Sequence, residues 1–363
     1  MEEKTKKTSK GKRAAAVICA LLFIALLFAA FVFRGLIWSL FTVKSDAENG
    51  IYVIDFRDDY KLDELLEQGG VKTQDELAKY IIKVLLKGLP VPIAYEVPEL
   101  GCSTFNASTP TDGYVFSRNF DNQVTDLAVV KTAPKDGYRS VSVVDLSFLG
   151  YTETFTPEKL FDRVLAMGAP YFPMDGINEK GFAVGVLQIM APPTDQNTDK
   201  PDVDTTVAIR MLLDRAATVD EAIELLSGVD MHASAGGCFH FHLSDASGNS
   251  AVVSYSENEM IITRKTGSFI CATNFYLHSV PFEYDVQGKD RYDKLTETLT
   301  QKNGVLSLEE ARDLLQSVSI ISTEPDEVGR VYSTQWSSVY DLTNPSLTLS
   351  PDRHYDKVFT FAP

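Results

Sequence analysis

Residues 101–121 read GCSTFNASTPTDGYVFSRNFD and contain the strongest local signals in the chain. They form two strand-like runs joined by a turn at Pro110-Thr-Asp-Gly, which predicts a β-hairpin. Such a hairpin returns Arg118 and Asp121 to the side of Cys102. An arginine beside a thiol favours the thiolate, the nucleophilic form, against an unperturbed pKa of about 8.5. None of the five histidines is close to Cys102 in sequence, so no local histidine is available as its base.

The chain around this hairpin alternates between strand-like and helical patterns. Strand-like runs occur at 51–56, 113–119, 140–146, 181–190, 239–244, 250–255, 260–264 and 331–340. Helical apolar spacing occurs at 76–87, 157–167, 205–217, 219–227 and 307–317, the last with a Ser307-Leu-Glu-Glu capping pattern. Strands interrupted by helices, without an internal repeat, predict a layered α+β domain.

The composition permits a folded core and argues against nucleic-acid binding. Hydrophobic residues make up 44% of the 363 residues and charged residues 23%, as in globular proteins. The 34 basic and 50 acidic side chains give a formal charge of −16, the wrong sign for binding phosphate backbones. Four cysteines, at 19, 102, 238 and 271, are too few for a disulfide framework. Cys238 and Cys271 could form one disulfide or remain free thiols, and the sequence leaves both open.

The N-terminus predicts a membrane anchor. Residues 14–33 contain no charged side chain, and about 20 such residues span a bilayer core. Residues 1–13 hold six basic and two acidic side chains, so the positive-inside rule predicts a cytoplasmic tail there. We therefore expect a single-pass anchor over 14–43 in the cell membrane and an extracellular remainder. A cleaved signal peptide is the alternative, but the run is long and lacks a small-residue cleavage site.

Five short motifs follow one another in a fixed order down the chain. They are Gly101-Cys-Ser-Thr, Ser117-Arg-Asn-Phe-Asp, Asp175-Gly-Ile-Asn-Glu-Lys-Gly, Phe241-His-Leu-Ser-Asp-Ala-Ser-Gly and Ala272-Thr-Asn-Phe. Together they resemble the choloylglycine hydrolase superfamily, linear-amide hydrolases that include bile salt hydrolases, penicillin V acylases, acid ceramidase-like enzymes and the penicillin acyltransferase. The resemblance implies an N-terminal-nucleophile (Ntn) hydrolase, with an αββα four-layer sandwich.

The resemblance also implies how the missing base is supplied. In this family the nucleophilic cysteine becomes the N-terminal residue, and its own α-amino group, with a pKa near 7.7–8.0, acts as the base. Cys102 is then the nucleophile, Arg118 tunes and positions the thiol, and Asp121 binds the α-amine.

Three later residues complete the implied site. Asn274 donates a hydrogen bond to the oxyanion, and Arg291 matches the family's late active-site arginine. Gln188 stands where bile salt hydrolases have an asparagine oxyanion donor, and its different length argues against bile-salt specificity. The chemistry requires no metal or organic cofactor. His240 and His242 share a strand face, but without a third ligand in suitable spacing they do not predict a metal site.

The 101 residues before Cys102 lead to a prediction of self-cleavage at Gly101–Cys102. The products are a helical pro-segment over 45–101, carried by the anchor, and a catalytic piece over 102–363. We expect the two pieces to stay associated through the helix predicted at 76–87. Oligomerisation is left open.

The predicted activity is hydrolysis of linear amides in small N-acyl compounds, through an acyl-thioester enzyme. The first alternative is an acyltransferase of the penicillin acyltransferase type, in which an amine replaces water. The second is an unprocessed, non-catalytic envelope binding protein. The third, a Cys/His protease, requires one of the five histidines to reach Cys102.

Overall fold

Two β-sheets pack face to face in this protein, and helices lie on their outer sides. The computed structural model describes residues 2–46, 48–88, 101–123, 125–150, 156–157, 159, 162–234, 237–322 and 331–363. Strands and helices alternate along the chain, so the predicted mixed α+β class is confirmed.

The strands in these ranges are, in chain order, β1 (Lys44–Asp46), β2 (Ile51–Phe56), β3 (Gly101–Ser108), β4 (Tyr114–Asn122), β5 (Leu127–Thr132), β6 (Ser140–Asp145), β7 (Pro173–Asn178), β8 (Ala183–Ile189), β9 (Asp202–Asp204), β10 (Asp230–His232), β11 (Cys238–Ser244), β12 (Ser250–Ser256), β13 (Glu259–Arg264), β14 (Ile270–Ala272), β15 (Ser333–Asp341), β16 (Ser346–Pro351) and β17 (Phe359–Phe361). Among these described strands, nine form one sheet in the order β1-β2-β5-β6-β7-β8-β11-β12-β13. Six form the facing sheet in the order β14-β3-β4-β15-β16-β17, and β9 and β10 pair separately.

The helices in the same ranges are α1 (Glu2–Val32), α2 (Arg34–Thr42), α3 (Leu62–Glu67), α4 (Gln74–Val84), α5 (Arg163–Ala166), α6 (Thr205–Arg215), α7 (Val219–Ser227), α8 (Lys289–Gln301) and α9 (Leu308–Ser317). Helices α6 and α7 pack on the nine-stranded sheet, while α8 and α9 pack on the six-stranded sheet. The predicted capping box is present at the start of α9, where Ser307 and Glu310 each bond the other's backbone N–H.

Two apolar layers lie on opposite faces of the six-stranded sheet. The inner layer, between the sheets, contains Cys102, Phe120 and Trp336. The outer layer, beneath α8 and α9, contains Phe105 and Cys271. Successive side chains of a strand point to opposite faces, so a single strand such as β3 contributes to both layers.

The helix predicted over 157–167 is shorter in the structure. Helix α5 covers only Arg163–Ala166, and a 3₁₀ turn over Ala169–Tyr171 follows it. The described residues 157, 159 and 162 lie in turns and bends before α5. Pro170 has no N–H to donate, so the α-helix does not continue past it. Residues 158, 160 and 161 of the predicted helix lie outside the described residues.

The apolar N-terminal run and helix α2, which follows it, differ in their contacts with the rest of the protein. Residues Ala14–Val32 of α1 are long and apolar enough to cross a membrane, and none of this window is buried. Helix α2 is separate and packs on the domain through Leu36 and Ser39. The Ser39 hydroxyl accepts the backbone N–H of Arg57 at 3.0 Å. The apolar window thus covers residues 14–32, and helix α2, in the second half of the predicted 14–43 anchor, contacts the folded domain.

The segment before Cys102 contains a strand as well as helices. Strand β2 pairs in parallel with β5, from Ile51 opposite Leu127 to Phe56 opposite Thr132. Its alternating aromatic and β-branched residues favour a strand, and Ile54 is completely buried. The strand-like run predicted at 51–56 is thus a strand, and through it this segment extends the nine-stranded sheet.

Candidate active site

The hairpin predicted around Cys102 is formed by β3 and β4. Gly101 lies opposite Asp121, Cys102 opposite Phe120, and Thr104 opposite Arg118. This register brings together the three site residues predicted from the hairpin sequence, as the Pro110-Thr-Asp-Gly turn implied.

The Cys102 thiol is buried beside Arg118. Arg118 Nη2 donates to Cys102 Sγ at 3.3 Å, and Cys102 is only 1% exposed. Burial raises the pKa of the Cys102 thiol; Arg118 and Arg291 lower it, and Asp121 raises it further. The arginines act in the predicted direction, but in the uncut chain burial is the larger effect and the pKa lies above its usual value.

Arg118 is held rigidly in the inner layer. Its Nη1 forms an ion pair with Asp175 and its Nη2 donates to Val186 O at 2.7 Å. The guanidinium also lies over the Phe120 ring, 5.0 Å from its centroid. Asp175 is itself fixed, because Trp336 Nε1 donates to it at 3.1 Å and the Tyr340 hydroxyl donates to its other oxygen.

Asn274, Arg291 and Asp121 form a second polar cluster around the Cys102 backbone. Cys102 N donates to Asn274 Oδ1 at 2.9 Å, and Arg291 Nη2 donates to the same oxygen at 2.9 Å. Arg291 Nη1 donates to Cys102 O at 2.6 Å and lies 3.2 Å from Asp121 Oδ2. The other Asp121 oxygen accepts the Thr334 hydroxyl at 2.6 Å.

Gln188 lies next to this cluster at the end of β8. Its backbone oxygen accepts Asn274 Nδ2 at 2.8 Å, so it orients the Asn274 amide. The structure therefore brings all six predicted site residues into one connected region. Their individual roles stay predictions. The Cys102 N–H donates to Asn274 Oδ1 and not to Asp121, the residue predicted to bind the Cys102 α-amine after cleavage.

Three buried histidines bond to groups other than Cys102 in the described part of the chain. His240 Nε2 lies 2.8 Å from Thr273 O, and His242 Nδ1 lies 2.7 Å from Thr104 Oγ1. His232 bridges Asp195 and Asp202. Burial lowers the pKa of His240 to about 4 and that of His242 to about 3. Both rings are therefore neutral at pH 7, and the geometry gives no support to a Cys/His pair.

Sequence reasoning missed several residues that build the site. Asp175 stands in the quoted Asp-Gly-Ile-Asn motif but had no assigned role, although a charged residue inside an apolar strand is a usable signal. Thr334 lies next to Asp121 because β15 pairs with β4. The same pairing brings Tyr332, the residue before β15, next to Gly101. No local pattern indicates that long-range contact.

A family model and one characterised relative match parts of this chain. A family model described as acyl-coenzyme A:6-aminopenicillanic acid acyl-transferase matches residues 110–354, a range that includes five predicted site residues but begins after Cys102. Penicillin V acylase from Pectobacterium atrosepticum is 33% identical over 103 residues, which cover 24% of this chain and 26% of that protein. The match thus spans about a quarter of that relative's length.

Solved structures agree at the level of the fold. Two variants of conjugated bile acid hydrolase from Clostridium perfringens align with TM-scores of 0.51 and 0.52, at 14% and 13% identity. Each alignment covers 72% of this chain and 92% of the other. Together with the family model, they confirm the resemblance found from the ordered motifs.

Proposed function

This chain belongs to the acyl-coenzyme A:6-aminopenicillanic acid acyl-transferase family, and from that premise we propose that it is a cysteine Ntn hydrolase with the αββα architecture. It cleaves linear amides of small N-acyl compounds through an acyl thioester on Cys102. The observation that carries this proposal is the position of the Cys102 thiol, which accepts a hydrogen bond from Arg118 while the Cys102 backbone is held by Asn274 and Arg291.

The first proposed reaction is self-cleavage. Cys102 Sγ attacks the Gly101 carbonyl carbon, the bond to the Cys102 nitrogen breaks, and the thiol proton ends on that nitrogen. Water then hydrolyses the Gly101 thioester to a carboxylate and restores the thiol. The products are residues 1–101 and residues 102–363, and the second now begins with the free α-amine of Cys102.

The second proposed reaction is turnover on a substrate. The α-amine accepts the Cys102 thiol proton, the thiolate attacks the substrate carbonyl, and the amine leaving group receives the proton. Asn274, with Gln188 beside it, stabilises the oxyanion, and water releases the acyl group as an acid. Arg118 keeps a positive charge beside the sulfur throughout, because Asp175 and Val186 prevent the guanidinium from moving away.

We also propose that the protein is a single-pass membrane protein whose catalytic domain is extracellular. The unburied apolar helix Ala14–Val32 and the basic residues before it support this arrangement. After cleavage the two pieces stay associated. The pairing of β2 with β5 and the buried residues Leu77 and Ile81 of α4 support that association.

A second candidate function is acyl transfer, in which an amine attacks the thioester instead of water. The description of the matching family model favours this candidate. Adding a primary amine to the reaction separates the two activities, because a transferase yields a new amide and a hydrolase only the free acid.

Intact mass and N-terminal sequencing of the detergent-solubilised full chain, as wild type and as Cys102→Ala, test the proposal. The wild type should give a fragment that begins at Cys102, and the variant should stay whole. If wild-type protein remains uncut and hydrolyses no N-acyl amide, the non-catalytic binding protein replaces the enzyme as the best account.

A further inference from the structure

Gly101 sits in a space that has no room for a side chain. A Cβ built on Gly101 would lie 2.9 Å from Asp121 Oδ2 and 3.0 Å from Asp121 Cβ, and closer still to the Tyr332 hydroxyl. Real Cβ atoms do not approach neighbours this closely, so a substituent here displaces either Tyr332 or Asp121.

The requirement for glycine at this position is one of space and not of backbone conformation. The φ angle of Gly101 lies outside the left-handed region, and the residue is the first of a regular strand. Any L-residue can adopt this backbone, so only the two neighbouring side chains exclude one.

Hydrogen bonds fix the Asp121 side chain and the Tyr332 backbone. Asp121 is fully buried and bonded to Arg291 and Thr334. The backbone of Tyr332 is bonded to Ser322 in both directions, at 2.7 and 3.0 Å. Burial, and then the negative charge of Asp121, raises the pKa of Tyr332, so its phenol stays protonated and neutral.

The thioester intermediate of self-cleavage shows which part of a substrate would occupy the space around Gly101. In that intermediate the Gly101 carbonyl carbon is bound to Cys102 Sγ, which is the covalent arrangement of a substrate acyl group in turnover. The Gly101 Cα therefore marks the position of the acyl α-carbon, the carbon next to the carbonyl. This step rests on the self-processing mechanism proposed above.

We propose that Tyr332 and Asp121 together form an α-carbon subsite that accepts acyl groups with an unbranched CH₂ next to the carbonyl and rejects α-branched ones. The substrate class is thereby narrowed to amides of straight-chain or otherwise α-unsubstituted acids. Tyr332 is the specificity-determining residue of the pair, since its hydroxyl oxygen is the atom nearest to the excluded position.

A pair of matched amides tests this inference on the full-length protein. The probes are the hexanoyl and 2-methylhexanoyl amides of one chromogenic amine, compared by kcat/KM. We expect wild type to favour the unbranched amide by roughly 10- to 200-fold, the range for one methyl group in a fitted pocket. Tyr332→Phe removes the crowding oxygen, together with its hydrogen bond to the Gly101 backbone, and should reduce that ratio several-fold. Tyr255→Phe removes a buried phenol oxygen on β12 and should leave the ratio unchanged.

Self-cleavage gives a second readout of the same space. Gly101→Ala should cleave much more slowly than wild type, and Tyr332→Phe added to it should restore part of the rate. Equal turnover of both amides by wild type, or a ratio that Tyr332→Phe leaves unchanged, overturns the inference while self-cleavage and hydrolysis stand. A wild-type chain that neither cuts itself nor hydrolyses either amide overturns the proposed function as well.

Discussion

Cys102 and Cys271 lie on neighbouring antiparallel strands and are almost equally buried, at 1% and 2% exposure. Cys102 faces the inner layer, where Arg118 donates to its sulfur. Cys271 faces the outer layer under α8, where burial raises its pKa to about 12 against the weaker, lowering effect of Thr296. Burial is thus common to both thiols. The sheet face, and the charges it carries, distinguishes the candidate nucleophile from a structural cysteine.

The largest expected difference between the two faces is catalytic. Cys102→Ala should abolish turnover of N-acyl amides, because it removes the only atom that forms the thioester. Cys271→Ala should retain turnover within a few-fold, since its side chain touches apolar residues of the outer layer. Initial rates on one amide measure both. Loss of activity in a folded Cys271→Ala protein contradicts the assignment of catalysis to the inner face.

The buried charges of the inner layer should contribute more to the stability of the folded protein than exposed charges do. Asp175→Asn leaves the Arg118 guanidinium without its buried counterion, and breaking such a pair costs about 3–5 kcal/mol. Glu179→Gln is a matched control on an exposed pair with Arg139, where we expect a cost of about 1 kcal/mol or less. Urea unfolding in the uncleaved Cys102→Ala background measures both. Equal costs for the two variants contradict this part of the comparison.

Removing the amide that faces Cys102 should slow chemistry without weakening binding. Asn274→Ala is expected to lower kcat by about 10²–10³-fold, the usual effect of losing one oxyanion donor, with little change in KM. Asn249→Ala, in the turn between β11 and β12, serves as the control and should keep full activity. A kcat for Asn274→Ala within threefold of wild type removes Asn274 from the catalytic machinery.

Ionisation of the Cys271 thiol should lower the free energy of unfolding at high pH. The folded pKa of Cys271, about 12, lies above its unfolded value of about 8.5. The neutral thiol therefore stabilises the folded state fully below pH 8.5, and this contribution is lost as the pH rises towards 12. The loss amounts to at most about 1.4 kcal/mol per pH unit. Urea unfolding from pH 8 to 11 should show a shallower decline for Cys271→Ala, and identical slopes contradict the assigned pKa.

The sequence predicted those parts of the site that depend on local geometry. A turn flanked by strand-like runs was enough to place Arg118 and Asp121 beside Cys102, because a hairpin fixes its own register. The family resemblance added Asn274, Gln188 and Arg291, which the structure brings to the same region. The strands that were predicted after Cys102 differ from the observed limits by at most three residues at either end, whereas β5, β7 and β16 were not predicted.

The missed contacts all join residues that are far apart in sequence. Asp175 reaches Arg118 across the space between the two sheets, and Thr334 reaches Asp121 because β15 pairs with β4. The parallel pairing of β2 with β5 is of the same kind. Apolar periodicity indicates which face of a strand is buried, but it carries no information about which strand becomes its neighbour.

The pairing of β2 with β5 has a consequence for the cut protein. After the proposed cleavage, six consecutive paired residues of one chain complete a sheet of another, and the molecule becomes an obligate heterodimer. Unfolding then releases two chains, so the melting temperature should increase with protein concentration. If the smaller chain dissociates, β5 becomes an unpaired edge strand. Such an edge can pair with other chains and promote aggregation. The stability of the cleaved protein would then be kinetic: it would depend on how slowly the two chains dissociate and not on reversible folding.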